Sequence, residues 1–131
     1  MVKVFLVEDE VIIRHGIRDN IDWASHGFEF AGEAGDGEYA YPLILKAQPD
    51  ILVTDIKMPF MDGLELSRLV KKALPRTRII VLSGYNEFEY AKEAIKIGIS
   101  DYLLKPVSSA GLIDALKKAA DEIREEREKS K

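Results

Sequence analysis

The sequence predicts an α/β fold in which helices cover both faces of a parallel β-sheet. Five short apolar segments alternate along the chain with five segments in which apolar residues recur at helical spacing. Three of the short segments are apolar at nearly every position, which is typical of strands buried on both faces. Because each helix returns the chain to the same end of the sheet, this alternation favours parallel strands.

Local signals place the elements of the first half of the chain. A strand over 2–7 ends at an acidic stretch, and a helix over about 11–21 presents isoleucines at four-residue spacing. Apolar and acidic residues alternate over 28–30, which predicts an edge strand with one exposed face. A second helix ends at 48–50, where a proline follows glutamine. We expect Trp23 to pack beneath the linker that precedes the edge strand.

The third strand lies at the centre of the prediction. Residues 51–55 are apolar or β-branched until the strand ends in the carboxylate of Asp55, and the Met-Pro and Asp-Gly pairs that follow indicate a loop. Asp62 can cap the third helix, with Glu65 completing a pair of the capping-box type. Ligand sites in open parallel sheets lie at this edge, so Asp55 is either a turn residue or a functional carboxylate.

Two further strand and helix pairs complete the chain. Residues 78–82 form a buried strand, and Asn86 caps the fourth helix. A fifth strand covers 102–104, and the last helix begins at Ser108 or Ser109. With right-handed crossovers the expected strand order is 2-1-3-4-5, the flavodoxin-like doubly wound arrangement of five strands and five helices.

Composition limits the class of protein. At 131 residues the chain has the size of one domain, and its 47% hydrophobic and 32% charged fractions are those of a globular protein. The absence of cysteine excludes disulfides, thiolate metal sites and cysteine nucleophiles. The net charge of −4 offers no electrostatic footprint for nucleic acid, so we expect this segment not to bind DNA directly. No apolar run reaches membrane-spanning length and the chain starts in a strand pattern, so we expect a cytoplasmic location.

The predicted topology delivers polar side chains from four strand ends to one edge of the sheet. They are Glu8 and Asp9 after the first strand, Asp55, Ser83 and Lys105. Three neighbouring carboxylates repel one another and raise each other's pKa, unless a cation lies among them. Mg²⁺ suits carboxylate, carbonyl and water oxygens, whereas the set contains no histidine or cysteine for zinc.

These side chains together predict phosphoryl transfer. A carboxylate such as Asp55 can attack phosphorus and form an aspartyl phosphate when charge on the phosphoryl oxygens is stabilised. Lys105 offers a point charge for this purpose, and Ser83 offers a short hydrogen-bond donor. Each residue alone also fits a structural role, as a helix cap, a turn residue or a surface lysine. Their coincidence at one edge favours the chemical role.

Four segments resemble the receiver domain of bacterial two-component response regulators. The segments are Val7-Glu8-Asp9-Glu10, Asp55-Ile56-Lys57-Met58-Pro59 with Asp62-Gly63, Val81-Leu82-Ser83-Gly84, and Asp101-Tyr102-Leu103-Leu104-Lys105-Pro106. The likeness extends from Met1 to about Arg124. It implies that the domain is a switch, in which a modification at Asp55 changes the face built by helix 4, strand 5 and helix 5.

The resemblance also implies the ligands of the metal ion. Asp9 and Asp55 would hold Mg²⁺ directly and Glu8 through water, with the backbone carbonyl of Lys57 completing the protein ligands. The phosphoryl donor would be a sensor histidine kinase or a small acyl phosphate.

Further roles follow from the same resemblance. Ser83 and Lys105 would engage the phosphoryl oxygens, and Tyr102 would be the aromatic residue that rotates when the switch changes state. The bond between Lys105 and Pro106 would be cis.

One subgroup of the family is more similar still. Asp22-Trp23 and the stretch 83–91 are similar to regulators whose receiver is joined to an AraC-type helix-turn-helix DNA-binding domain. We therefore expect a receiver domain at 1–122, and at 123–131 the start of a charged linker to a covalently linked output domain. A homodimer formed on phosphorylation is a further expected partner.

Two side chains near the predicted site are larger than phosphorylation requires. Lys57 and Tyr85 lie two residues beyond Asp55 and Ser83, beside the path of a hydrolytic water. We hypothesise that they slow dephosphorylation and give the phosphoryl group a long lifetime.

Three alternatives remain at this point. An interaction module that works without phosphorylation would have the same fold and leave the site unused. A Mg²⁺-dependent phosphatase with an aspartate nucleophile would require a second acid at position 57, where the chain has Lys57. A flavin or dinucleotide site would require a glycine-rich or hydroxyl-rich loop at 8–10, where the acidic residues would repel phosphates.

Overall fold

The computed structural model describes residues 1–84 and 88–130 of the chain. Its strands are β1 (Val2–Val7), β2 (Phe28–Ala34), β3 (Ile51–Asp55), β4 (Arg78–Ser83) and β5 (Asp101–Leu104). Its helices are α1 (Val11–Asn20), α2 (Gly37–Ala47), α3 (Gly63–Ala73), α4 (Phe88–Ile97) and α5 (Ser109–Lys129), with a short 3₁₀ turn at Ala24–His26. The predicted helix cap Asn86 lies outside the described residues.

The sheet has the predicted architecture. All five strands are parallel and their order is β2-β1-β3-β4-β5, which confirms the flavodoxin-like doubly wound fold. β2 is an edge strand, as the alternation over 28–30 predicted. None of the helices in the described part of the chain has the length and apolarity needed to cross a membrane.

Two apolar layers flank the sheet and explain why its strands read as continuous apolar runs. Val4 and Leu6 point into the layer under α1 and α5, whereas Phe5 and Val7 point into the layer under α2, α3 and α4. Successive side chains of a strand face opposite sides, so a strand covered on both sides is apolar throughout. Each fully buried aliphatic or aromatic side chain contributes about 1.5–3 kcal/mol to stability.

Side-chain caps fix the starts of the helices that follow the predicted loops. The Asp62 carboxylate accepts a hydrogen bond from the Glu65 amide at 2.8 Å, and the Ser108 hydroxyl accepts one from the Gly111 amide at 2.9 Å. The Glu65 carboxylate instead accepts a hydrogen bond from Arg68 at 3.1 Å. Of the two hydrogen bonds in the predicted capping box, the structure therefore contains the one accepted by Asp62. Such caps stabilise a helix by about 1 kcal/mol.

Trp23 packs as predicted. Its side chain is buried against Phe30 with ring centroids 5.1 Å apart, and its indole N–H donates to the Arg18 carbonyl at 2.9 Å. These contacts join the end of α1 to the edge strand.

Helix α5 is longer than its apolar stripe. It continues unbroken through residue 122 to Lys129, with Ile123 still buried in the core. Its last turns also form salt bridges with the rest of the domain. Arg127 lies 2.8 Å from Asp50, and Glu126 pairs with Arg78. The assignment of 123–131 to a linker stays a prediction.

The cross-strand register aligns the carboxyl ends of the strands. The last pairs are Val7 with Thr54, Asp55 with Leu82, and Ser83 with Leu104. These pairs lie at the same height on neighbouring strands. Glu8 directly follows β1 and Lys105 directly follows β5, so both reach the same edge of the sheet as Asp55.

Candidate functional site

Three predicted residues are in direct contact at the carboxyl edge of the sheet. The Lys105 ammonium lies 2.8 Å from Glu8 Oε1 and 2.9 Å from Asp55 Oδ2. Glu8 is fully buried and Asp55 is 5% exposed. A single cation therefore bridges two carboxylates that have little access to water.

Backbone hydrogen bonds hold these side chains in place. The Glu8 amide donates to the Ala34 carbonyl at 3.1 Å, and the Lys105 amide donates to the Ser83 carbonyl at 2.7 Å. The Ile56 amide donates to Asp55 Oδ1 at 2.9 Å, which fixes the orientation of that carboxylate. The site is thus held by the carboxyl ends of the strands and by the residues that directly follow them.

The electrostatics of the site are strongly perturbed. Burial, together with the neighbouring Asp55 carboxylate, raises the pKa of Glu8 to about 8, although Lys105 opposes this. Burial also disfavours the charged form of Lys105, but its close contacts with Glu8 and Asp55 outweigh burial and raise its pKa. When no metal ion is bound, Glu8 is therefore expected to be protonated near neutral pH, beside Asp55 and Lys105.

This perturbation predicts a pH-dependent stability of the metal-free protein. The pKa of Glu8 is raised from 4.5 to about 8, so between these values the folded chain holds a proton that the unfolded chain has released. The contribution of Glu8 to the free energy of unfolding is therefore fully present below pH 4.5 and is lost as the pH rises to about 8. Relative to Glu8→Gln, the wild type should lose free energy of unfolding over this range.

Urea denaturation of both proteins at a series of pH values, without divalent cations, measures that difference. A difference that stays constant across the series would contradict the assignment of the raised pKa to Glu8.

The carboxylates also form a candidate metal site. Glu8, Asp9 and Asp55 each offer an oxygen, and these oxygens lie within 4.8 Å of one another. Glu8 Oε1 is buried without a well-directed hydrogen bond, although the Lys105 ammonium lies 2.8 Å away. An oxygen-only set with a buried oxygen available as a ligand fits a hard divalent cation such as Mg²⁺.

The other predicted residues lie around this cluster. Ser83 is buried at the end of β4, and its hydroxyl donates to the Gly84 carbonyl at 3.0 Å. Tyr102 is partly buried in the layer under α4, and the Lys57 side chain is exposed. The bond from Lys105 to Pro106 is cis, as predicted. Tyr85 lies outside the described residues.

An apolar groove of about 740 Å³ adjoins the site. It runs between α1 and the start of α5, and Ile13, Ile17, Val107 and Leu112 contribute apolar lining. Asp9, Asp55 and Lys105 also line it, so the groove reaches the carboxylates at the sheet edge.

One functional candidate escaped the sequence reasoning. The Arg14 guanidinium donates to the backbone carbonyl of Glu8 at 2.8 Å and to the Glu33 carboxylate at 3.0 Å. A basic residue on an amphipathic helix ordinarily indicates a solvent-exposed face. The sequence also could not indicate that Arg14 binds a backbone carbonyl, because every residue has one. The acidic Glu33 on the neighbouring edge strand was the signal that could have indicated the other contact of Arg14.

The fold and the site define a doubly wound α/β domain with an acidic cluster and a lysine at the carboxyl edge of its sheet. The chain belongs to the response regulator receiver domain family, whose model matches residues 4–117. The predicted family is therefore confirmed.

Bacterial transcriptional regulatory proteins are among its relatives. The chain is 46% identical to the uncharacterized transcriptional regulatory protein YesN of Bacillus subtilis over 124 residues, which cover 95% of this chain and 34% of YesN. It is 42% identical to the transcriptional regulatory protein HptR of Staphylococcus aureus over 112 residues, which cover 86% of this chain and 44% of HptR. The chain thus spans between a third and a half of these relatives.

Solved structures agree with this placement. The REC domain of AraT, a response regulator from Geobacillus stearothermophilus, superposes with a TM-score of 0.89 at 44% identity, covering 97% of this chain and 99% of that one. A two-component transcriptional regulator AraC from Clostridium phytofermentans gives a TM-score of 0.85 at 32% identity, covering 98% and 99% of the two chains.

Proposed function

We propose that this chain accepts a phosphoryl group on Asp55 and thereby switches the output of a transcriptional regulator. The observation that carries the proposal is the contact of Lys105 with Asp55 at 2.9 Å, beside two further carboxylates. A buried carboxylate with a cation on one oxygen is preorganised for a reaction that places negative charge next to it.

The reaction is a phosphoryl transfer from a histidine kinase or a small acyl phosphate. An oxygen of Asp55 forms a bond to phosphorus, and the bond between phosphorus and the donor atom breaks. The donor, an imidazole nitrogen or a carboxylate oxygen, leaves with the electron pair. The same site would assist hydrolysis of the aspartyl phosphate and so reset the switch.

Each residue of the site has a role in this reaction. Glu8, Asp9 and Asp55 would hold Mg²⁺ together with the backbone carbonyl of Lys57. When bound, the ion offsets the negative charge of the carboxylates and of the phosphoryl oxygens. Lys105 would release one carboxylate and donate to a phosphoryl oxygen, which supplies a fixed positive charge where the transferred group arrives.

The switch would run from Ser83 to Tyr102. The Ser83 hydroxyl would exchange its bond to the Gly84 carbonyl for one to a phosphoryl oxygen, which moves the end of β4 inward. Tyr102 packs in the layer under α4, so a change beside it would alter the face formed by α4, β5 and α5. Such a face would pair with a second copy, and two states separated by a few kcal/mol suffice for one modification to shift the population.

The partners of the whole protein follow from this proposal. They are a sensor histidine kinase and a covalently linked DNA-binding domain of the AraC type, acting in the cytoplasm. Transcriptional regulators among the relatives, at 46% and 42% identity, support this assignment.

Intact mass spectrometry tests the proposal. After incubation with acetyl phosphate and Mg²⁺, the wild type is expected to gain one phosphoryl group and Asp55→Asn none. Asp36→Asn is the matched control, because Asp36 caps α2 at 2.7 Å and asparagine caps a helix equally well. No gain in the wild type, or a gain in Asp55→Asn, would favour a module that works without phosphorylation of Asp55.

Lys57 and Tyr85 are expected to prolong the phosphorylated state. Replacing both by alanine opens the approach of water to the aspartyl phosphate and should accelerate its decay severalfold. The decay of the phosphorylated form, followed by intact mass after removal of acetyl phosphate, measures this effect. Unchanged decay in the double variant would contradict the hypothesis.

A further inference from the structure

We propose that Arg14 is a positioning residue that holds the acidic loop in the geometry required for cation binding. This inference rests on the proposed function of the carboxylate cluster. It adds a residue that does not touch the cation or the phosphoryl group and acts only through Glu8 and Asp9.

Arg14 connects three separate elements. From α1, its Nη1 donates to the Glu8 carbonyl at 2.8 Å and its Nε donates to Glu33 on β2 at 3.0 Å. The side chain is 15% exposed, so these hydrogen bonds are largely shielded from water. A charged donor bound to a carbonyl and a carboxylate at once makes a strong and directional link.

The peptide groups of Glu8 are thereby fixed on both sides. The Glu8 amide donates to the Ala34 carbonyl at 3.1 Å, and the Glu8 carbonyl accepts from Arg14. α1 begins one residue after Glu10, whose side chain makes no capping hydrogen bond. Among the described residues, Arg14 is therefore the side-chain link from α1 to the loop that carries Glu8 and Asp9.

The carboxylate that supports Arg14 is itself well anchored. Arg18 donates to the second oxygen of Glu33 at 2.9 Å. Partial burial opposes ionisation of Glu33, but the hydrogen bonds from Arg18 and Arg14 outweigh it and lower the pKa of Glu33. Glu33 stays charged near neutral pH and gives Arg14 a fixed partner on the edge strand.

The chain leaves space for the guanidinium at Gly35. A Cβ added to Gly35 would lie 3.0 Å from Arg14 Nη1, the same nitrogen that binds the Glu8 carbonyl. This is closer than an ordinary van der Waals contact, so a side chain here would push against the link. The absence of a side chain at this position agrees with a guanidinium that must reach the loop.

Repulsion within the cluster explains why the loop needs such a link. Oxygens of Glu8, Asp9 and Asp55 lie within 4.8 Å of one another. Cation binding requires these groups to be deprotonated together, and their charges then repel one another unless the backbone holds them in place. Residues that orient metal ligands without touching the ion change metal affinity by 10–100-fold when they are removed.

Calorimetric titration of Mg²⁺ into the metal-free chain tests the role of Arg14. We expect Arg14→Gln to weaken Mg²⁺ affinity about tenfold. Arg18→Gln is the matched control, because it removes a hydrogen bond to the second oxygen of Glu33 but leaves both hydrogen bonds of Arg14, to Glu33 Oε1 and to the Glu8 carbonyl, in place. Its Mg²⁺ affinity should stay within about twofold of the wild type, below the loss typical of residues that orient metal ligands. Arg14→Lys keeps the charge but loses the guanidinium's two separate N–H donors, so it should recover only part of the affinity.

A second readout needs neither metal nor phosphoryl donor. Hydrogen exchange of the backbone amides at 8–10 should be faster in Arg14→Gln than in the wild type, and unchanged in Arg18→Gln. Loss of fold stability alone would speed exchange throughout the sheet and would leave the Mg²⁺ affinity of the folded protein unchanged.

Three results would overturn the inference. If Arg14→Gln binds Mg²⁺ as tightly as the wild type, Arg14 has no role in positioning the metal ligands, and the proposed function is unaffected. An equal loss in Arg14→Gln and Arg18→Gln would assign the effect to the charge around Glu33. A wild type that binds no Mg²⁺ would reject the proposed function itself, and the role of Arg14 with it.

Discussion

Replacing Lys105 by methionine is expected to slow phosphoryl transfer from acetyl phosphate to Asp55 by about 100-fold at saturating Mg²⁺. Methionine has a similar length but no charge, so it cannot donate to a phosphoryl oxygen. Removing one preorganised donor from a site that stabilises developing charge typically has an effect of this size. The initial rate of phosphoprotein formation, read by intact mass, measures it.

The same variant should bind Mg²⁺ at least as tightly as the wild type. In the metal-free protein the Lys105 ammonium lies 2.8 Å from Glu8 and 2.9 Å from Asp55, so it competes with a cation for these carboxylates. The variant therefore separates the two roles, because the rate falls while the affinity does not.

Lys96→Met on α4 is the control for loss of a lysine, since its exposed ammonium lies 3.9 Å from Glu93 of the same helix, a surface pair of little energetic effect. A rate in Lys105→Met within about threefold of the wild type would remove Lys105 from the reaction, because a preorganised donor has a much larger effect.

Replacing Gly63 by alanine is expected to destabilise the domain by more than about 3 kcal/mol, a large part of the stability of an ordinary domain. A Cβ at this position would lie 1.8 Å from the backbone carbonyl oxygen of Asp55. The clash is with backbone, which cannot rotate away as a side chain can. Either the start of α3 or the end of β3 must move, and the second movement would also displace the phosphoacceptor.

Chemical denaturation measures this effect, and Gly16→Ala is its matched control. In α1 the nearest heavy atom to a Cβ at Gly16 is Asn20 Nδ2 at 3.9 Å, an ordinary contact. Alanine in a helix interior is favoured over glycine by about 0.5–1 kcal/mol, so this control should stabilise the domain. A loss of less than about 1 kcal/mol in Gly63→Ala, smaller than the cost of an ordinary core defect, would contradict the close approach of α3 to β3.

The fold could be predicted because its signals are local and agree with one another. Apolar runs marked the buried strands, the alternation over 28–30 marked the edge strand, and Asp62 and Ser108 marked helix starts. The strand order followed from the handedness of crossovers, a general rule rather than a feature of any residue. The continuation of α5 past Ile123 was less visible, because charged residues suit both a helix and a linker.

The site could be predicted as far as it depends on strand ends. Glu8, Asp55 and Lys105 each end or directly follow a strand, so topology alone brings them together. The sequence could not indicate that one ammonium contacts both carboxylates, because side-chain conformation depends on packing.

Two further features of the site depend on backbone contacts. Arg14 escaped prediction because its partner is a carbonyl and every residue has one. Gly63 was read as part of a turn, whereas its close approach to Asp55 depends on how α3 packs against the sheet.

The position of the phosphoryl group directly tests whether Asp55 is the phosphoacceptor. An aspartyl phosphate is an acyl phosphate, and borohydride reduces its carbonyl carbon to an alcohol, which converts the modified aspartate to homoserine. Peptide mass spectrometry after treatment with acetyl phosphate, Mg²⁺ and borohydride should find homoserine at position 55 and aspartate elsewhere. Homoserine at position 9 instead, or unmodified Asp55 in phosphorylated protein, would contradict the assignment of Asp55 as the phosphoacceptor.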